Sequence, residues 1–122
     1  VNIHTAKVNV LGLAFKPNVQ DTSNSKIVDV VRELESFGVK VFVHDPIVKP
    51  DDAQARYGIH LHSWAELPIA DALVIGAPHQ LFLDSKLEEL LKKLQPKGLF
   101  VDINAKFEHK KIESQGFSTW TL

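Results

Sequence analysis

"LGLAFKPNVQDTSNSK", running from Leu11 to Lys26, decides how this chain is read. It opens as the apolar end of a strand and closes on the first residues of a helix. The loop between them has one glycine, Gly12, at its entry and one cation, Lys16, inside. A strand–glycine–loop–helix passage is the layout of a phosphate site, where helix-start amides and a cation meet an anion. The dinucleotide fingerprint G-x-G-x-x-G is missing, because the run reads Gly12-Leu13-Ala14-Phe15-Lys16-Pro17. The loop is therefore not expected to hold an NAD pyrophosphate directly. Gly12 permits close backbone approach, the amides around Ser23 to Lys26 are candidate donors, and Pro17 stiffens the neighbour of Lys16. The plainer reading of Lys16 is a solvated surface lysine.

Outward from this stretch, strands and helices alternate. Lys7–Ala14 is β-branched and apolar and predicts a strand. Asn24–Phe37 places Ile27, Val28, Val30, Val31, Leu34 and Phe37 on one helical stripe, capped by Asn24 or Ser25 and closed by Gly38. Val39–His44 predicts a second strand, stopped at Asp45-Pro46. Asp51–Tyr57 predicts a short helix with acids in its first turn, and Ile59–Leu61 a short third strand. Ala72–Ala77 is nearly all apolar and predicts a strand buried on both faces. Leu87, Leu90, Leu91 and Leu94 predict a helix ending at Pro96-Lys97-Gly98. Leu99–Ile103, His109–Gln115 and Phe117–Trp120 complete the pattern as strand, helix and strand. Such alternation predicts an α/β, Rossmann-like doubly wound fold. Its mainly parallel sheet would have about six strands with helices on both faces, and its sites would lie at the carboxyl ends of the strands.

The chain has 122 residues, enough for one domain that buries roughly two-thirds of its unfolded surface. A formal net charge of -1 gives no support to a nucleic-acid or membrane-surface partner. The absence of cysteine excludes a disulfide, a thiolate zinc site and a cysteine nucleophile within this chain. No apolar run is long enough to cross a bilayer, and the first residues do not form a signal peptide, which leaves the cytoplasm as the default setting. The chain begins at Val1 without Met and is read as part of something longer. Residues 1–6 are taken as a linker remnant and residues 7–122 as the domain.

The words "LGLAFKPNVQDTSNSKIVDVVREL", "GVKVFVHDP" and "DALVIGAPHQLF" together resemble the C-terminal UDP-binding domain of the UDP-glucose/GDP-mannose dehydrogenase family. The resemblance covers about residues 7 to 122 and is carried by Gly12-Leu13-Ala14-Phe15-Lys16, Asp21-Thr22 and Asp45-Pro46. The text around "DVVRELESFGV" and the ending resemble most the branch acting on UDP-N-acetylhexosamines. The resemblance implies a larger enzyme that oxidises the C6 alcohol of a nucleotide sugar to a carboxylate in two NAD-dependent steps, for surface-polysaccharide precursors. NAD and the catalytic cysteine would belong to an N-terminal domain and dimerisation to a central one, in a homodimer or higher assembly. This chain alone would then be inactive, with a UDP-sugar and those two domains as its partners. Phe15 and Lys16 match the family pair that contacts the nucleotide sugar, and Asp21 belongs to the same motif. Two positions depart from the pattern. Ser23 stands where the family has an arginine directed at the cofactor side, and Asn104 where it tends to have Lys or Arg, with Lys106 a possible substitute. Those departures leave a second reading open, a degenerate module that serves domain or subunit assembly.

Other residues carry weaker signals. Asp45 stands where a ribose-binding acid often lies, although Asp-Pro also ends a strand by turn chemistry. His79 follows the fourth predicted strand at the crevice edge, as a ligand contact or a loop histidine without a role. His60 and His62 share one face of a short strand but lack a third metal ligand, so no metal is expected. Trp64 and Trp120 read as core or interface. Lys92-Lys93 and Lys110-Lys111 read as solvated helix faces.

Overall fold

The computed structural model describes residues 5–14, 18, 20 and 25–121. Its elements are β1 (Lys7–Leu11), α1 (Lys26–Ser36), β2 (Lys40–His44), α2 (Pro50–Tyr57), β3 (Ala70–Ile75), α3 (Gln80–Asp84), α4 (Leu87–Leu91), β4 (Leu94–Asp102), α5 (His109–Ser114) and β5 (Ser118–Trp120). All strand pairs are parallel, in the order β2-β1-β3-β4-β5. The chain runs outward from β1 to β2, then returns past β1 to lay down β3. The gap between the carboxyl ends of β1 and β3 is thus the topological switch point, where ligands of such sheets bind.

Among the described residues the sheet has five strands, one fewer than the sequence predicts. The expected strand at Ile59–Leu61 is a single parallel bridge between Val43 and Leu61. It is confined from both sides. Gly58 closes α2 in the left-handed region at φ 67°, and a capping box between Ser63 and Glu66 starts a 3-10 turn over Trp64–Glu66. With that bridge counted, the order follows the doubly wound scheme.

Two further boundaries differ from expectation. A short helix, α3, precedes α4, and Leu94 begins β4 instead of ending a helix. Pro96 and Gly98 lie inside β4 rather than at the end of the preceding helix. Ala70 pairs with Leu94 and Ala72 with Leu99, so the extra residues of β4 bulge out of register. A bulge tolerates a proline that has no N–H to give the ladder. Around it Lys97 takes φ 64°, and a Cβ on Gly98 would lie 2.6 Å from Leu94 Cδ1.

The period-2 alternation of the strands splits the core in two. Val8, Val10, Val74 and Val43 pack with Ile27, Val28 and Val31 of α1 and Ala53 of α2. Leu11, Leu73, Ile75 and Phe100 pack with Phe82, Leu90, Leu91 and Ile112 of α3, α4 and α5. Ala6, placed by the sequence in a linker remnant, is buried and its carbonyl accepts the Lys40 N–H at 3.0 Å. Trp64 is half-buried against the second cluster, whereas Trp120 is 50% exposed on the edge strand and is no part of the core. Lys93 is not solvated as expected: its Nζ donates to the Leu67 carbonyl at 2.9 Å and lies over the Trp64 ring. No described helix is long and apolar enough to cross a membrane.

Candidate functional site

At the switch point the backbones of two loops touch. Gly12, at φ 95°, has no room for a side chain, since a Cβ there would lie 2.5 Å from both N and O of Ala77. A Cβ on Gly76 would lie 2.5 Å from the Gly12 carbonyl oxygen. The close approach that Gly12 permits is therefore first of all to the loop after β3. The glycine pair thus brings the backbones at the ends of β1 and β3 into direct contact.

Asp45, immediately after β2, ties the mouth together. Its Oδ2 accepts the N–H groups of Leu13 at 2.7 Å and Ala14 at 3.2 Å, and the Nε2–H of His79 at 2.9 Å. Its Oδ1 accepts the N–H groups of Ile47 at 2.8 Å and Val48 at 3.0 Å. One carboxylate thus joins the loops that follow β1, β2 and β3. Burial raises the Asp45 pKa, but the hydrogen bonds from His79 and from the Val48, Leu13 and Ile47 backbone outweigh it, so the carboxyl lies below its ordinary value of 3.8. The turn chemistry of Asp-Pro is present in the bonds to Ile47 and Val48. The bonds across to the other two loops come on top of it.

His79 is fully buried. Its Nδ1 accepts the Asn18 N–H at 2.8 Å, so the ring proton sits on Nε2, where it is donated to Asp45. Both ring nitrogens are thereby engaged. An acid–imidazole pair of this kind resembles half of a hydrolytic triad, but no lone pair is left to take a proton from a nucleophile. Asn18 holds φ 63°, a region asparagine tolerates better than most residues. Its Oδ1 accepts the N–H of Gln80, the first residue of α3, at 2.6 Å. At the far end of the same loop, Ser25 donates its hydroxyl to the Leu13 carbonyl at 2.7 Å instead of capping α1.

The mouth of β4 repeats the device. Asp102 is fully buried; it accepts the N–H of Lys106 at 3.0 Å, that of Phe107 at 2.8 Å and His109 Nε2–H at 3.0 Å. Lys106 and Phe107, with Ser85 and Lys111, line a cavity of about 250 Å³ beside this loop.

Of the residues singled out in the sequence, Asp45 and His79 are brought together. Phe15, Lys16, Asp21 and Ser23 lie outside the described residues. Asn104 is exposed on the turn that Asp102 fixes, where the Ala105 N–H reaches the Asp102 carbonyl at 3.2 Å. His60 and His62 pack edge to face with ring centroids 4.7 Å apart, and no cluster of three or more metal-binding side chains occurs among the described residues. Sequence reasoning missed Asn18 and Asp102. The signal for Asp102 was there, an acid ending an apolar strand just as Asp45 does. Nothing in the sequence singles out Asn18.

A parallel sheet wound in this order, with the loops after β1, β2 and β3 tied together at its switch point, defines a doubly wound domain of the nucleotide-binding type. The chain belongs to the UDP-glucose/GDP-mannose dehydrogenase family: residues 9–109 match the family's UDP binding domain. It is 30% identical over 103 residues to Protein CapL of Staphylococcus aureus, covering 84% of this chain and 24% of that one. It is also 30% identical over 113 residues to the UDP-N-acetyl-D-glucosamine 6-dehydrogenase of Pseudomonas aeruginosa, covering 93% of this chain and 27% of that one. A solved NDP-N-acetyl-D-galactosaminuronic acid dehydrogenase from Methanosarcina mazei Go1 shares the fold. Its TM-score is 0.85 at 23% identity, covering 98% of this chain and 25% of that one. The chain thus spans about a quarter of the length of the relatives it matches.

Proposed function

We propose that this chain supplies the UDP-binding side of the substrate site in an NAD-dependent UDP-sugar 6-dehydrogenase acting on a UDP-N-acetylhexosamine. The observation that carries the reading is the topological switch point between β1 and β3, where the loop that bears Phe15 and Lys16 in its sequence is anchored at Leu13, Ala14, Asn18 and Ser25. Lys16 offsets the charge of the diphosphate as a compact donor, Phe15 lies beside it in the motif, and Asp21 belongs to the same recognition loop. The reaction is oxidation of the C6 alcohol to a carboxylate, for surface-polysaccharide precursors in the cytoplasm. This chain has no thiol for that chemistry, so its own part is to bind and orient the substrate.

The residues at the switch point do not fit the NAD pyrophosphate. One glycine of the fingerprint is present, and the space beside it is filled by the Ala77 backbone. NAD, the catalytic thiol and the dimer contacts belong, in this reading, to other domains of a longer polypeptide. UDP and UDP-N-acetylglucosamine titrated calorimetrically into that polypeptide, wild type and Lys16→Ala, test the proposal. The wild type is expected to bind, and Lys16→Ala to bind about tenfold more weakly or worse, the scale of one hydrogen bond to a charged group. Absent binding, or equal binding by the variant, overturns it.

A further inference from the structure

We infer that His79 is a positioning residue for the UDP-sugar site, one that clasps the loop after β1 to the loop after β3 without itself touching ligand. The inference rests on the function proposed above. Its basis is a bracket built on one oxygen atom. Asp45 Oδ2 holds Ala14 directly, through the backbone N–H at 3.2 Å, and holds Asn18 indirectly, through the imidazole at 2.9 Å and 2.8 Å. Phe15, Lys16 and Pro17 are the residues between those two anchors. From the other side Asn18 Oδ1 is fixed by the N–H of Gln80 at 2.6 Å. A complete burial of the ring and the use of both its nitrogens leave His79 no group to offer a ligand. The same saturation removes Asp45 from the list of ribose contacts. What the pair supplies is geometry: a binding loop pre-set before ligand arrives loses less freedom on binding.

The chemistry of the ring makes the claim separable from general stability. The amide of asparagine reaches about as far as Nδ1 and that of glutamine about as far as Nε2. His79→Asn therefore keeps an acceptor for the Asn18 N–H and gives up Asp45. His79→Gln keeps a donor for Asp45 and gives up Asn18. His79→Phe keeps the volume and gives up both. A variant that leaves the imidazole intact is Gln80→Pro, which removes the N–H that Asn18 Oδ1 accepts; it also loses the exposed side-chain bond to Asp84, which Gln80→Ala removes alone as a control. Proline suits this first helical position, and the φ of -56° and ψ of 147° at His79 are what a residue before proline adopts.

The experiment is UDP calorimetry on the full-length polypeptide, in the wild-type and Lys16→Ala backgrounds, with thermal unfolding alongside. His79→Phe, His79→Gln and Gln80→Pro should each weaken UDP binding about tenfold, the scale of one lost ordering contact. His79→Asn should stay within about threefold of wild type by the same arithmetic. In the Lys16→Ala background the losses should shrink, because the residue being positioned is gone. Gln80→Pro should do this without lowering the melting temperature, so the test stands even where a His79 variant does not fold. Rescue by glutamine instead of asparagine, undiminished losses without Lys16, or wild-type affinity in Gln80→Pro would overturn the inference while leaving the proposed function in place. A wild-type protein that ignores UDP would overturn both.

Discussion

Gly12 and Ala77 share one small volume: a methyl group on the first would sit 2.5 Å from the backbone of the second. The contact joins the ends of β1 and β3, so how closely the two loops meet is set by the absence of a side chain. Gly12→Ala adds two faults, a left-handed φ of 95° and a clash with main chain that no rotamer relieves. The first costs about 1–2 kcal/mol and the second about 1–3 kcal/mol. Urea unfolding is expected to show a loss of about 2–5 kcal/mol on those two figures. A loss below about 1 kcal/mol would mean that the loops separate freely.

Asp45 predicts an acid limb in the stability profile. Its carboxyl titrates below the ordinary 3.8 in the folded protein. A depressed folded pKa contributes stability that is whole above the unfolded value and is lost as pH falls through the folded one. Unfolding free energy should therefore fall below about pH 4, the range of an unperturbed aspartate. Asp45→Asn should flatten that limb. At neutral pH the variant should lose about 2–4 kcal/mol, because an amide NH₂ must face backbone N–H donors on one side of the side chain. An acid limb unchanged in Asp45→Asn would assign it to other carboxylates.

Much of the sheet was legible, and the reason is local. Val8, Val10, Val41, Val43, Val74 and Ile75 are β-branched residues inside short apolar runs, and Ile27, Val28, Val31 and Leu34 repeat at helical spacing. α3 was not legible, because five residues, Gln80–Asp84, are too few to show a period. Pro96 and Gly98 read as the end of a helix because Leu87, Leu90, Leu91 and Leu94 keep helical spacing up to them, and a bulge shows no period of its own. The mouth was legible only as a place. Asp45 and His79 could be put beside the crevice from topology, but their bond joins residues 34 apart in the chain. The bond of Asp45 to Leu13 spans 32. Residue spacing carries no information about such pairs until the fold brings the loops together.

Asn9 gives a prediction away from the site. It is fully buried in β1, and its Nδ2 donates to the carbonyls of Pro68 at 2.8 Å and Lys93 at 3.2 Å. Among the described residues its Oδ1 has no donor. Asn9→Ala should cost about 1–3 kcal/mol through the lost donors. Asn9→Asp should cost more at neutral pH, since it sets a buried charge against two carbonyl oxygens. The difference between the two variants should narrow in acid, where a protonated aspartate regains one donor. Chemical denaturation at pH 7 and pH 4 checks the order, and an aspartate variant as stable as the alanine one at pH 7 would contradict it.

The last prediction concerns Ser23 and Asn104, the two positions at which the sequence departs from the family pattern it resembles. Position 104 lies on a turn whose backbone is held by Asp102 through Lys106, Phe107 and the Ala105 N–H. A lysine placed there would stand on a fixed base just past the carboxyl end of β4. Position 23 belongs in sequence to the stretch between β1 and α1. If the crevice receives a diphosphate, Asn104→Lys and Ser23→Arg should each strengthen UDP binding by up to about tenfold, the scale of one added charge-assisted hydrogen bond. The gain should fade as salt is raised, because exposed charges are screened within about 8–10 Å at physiological ionic strength. Uridine, which has no phosphate, should gain nothing from either change. Equal improvement for uridine and UDP would show that the new side chains act by contact with the nucleoside. Unchanged affinity for both would show that neither position faces the bound anion, and the departures from the family pattern would then have no bearing on recognition.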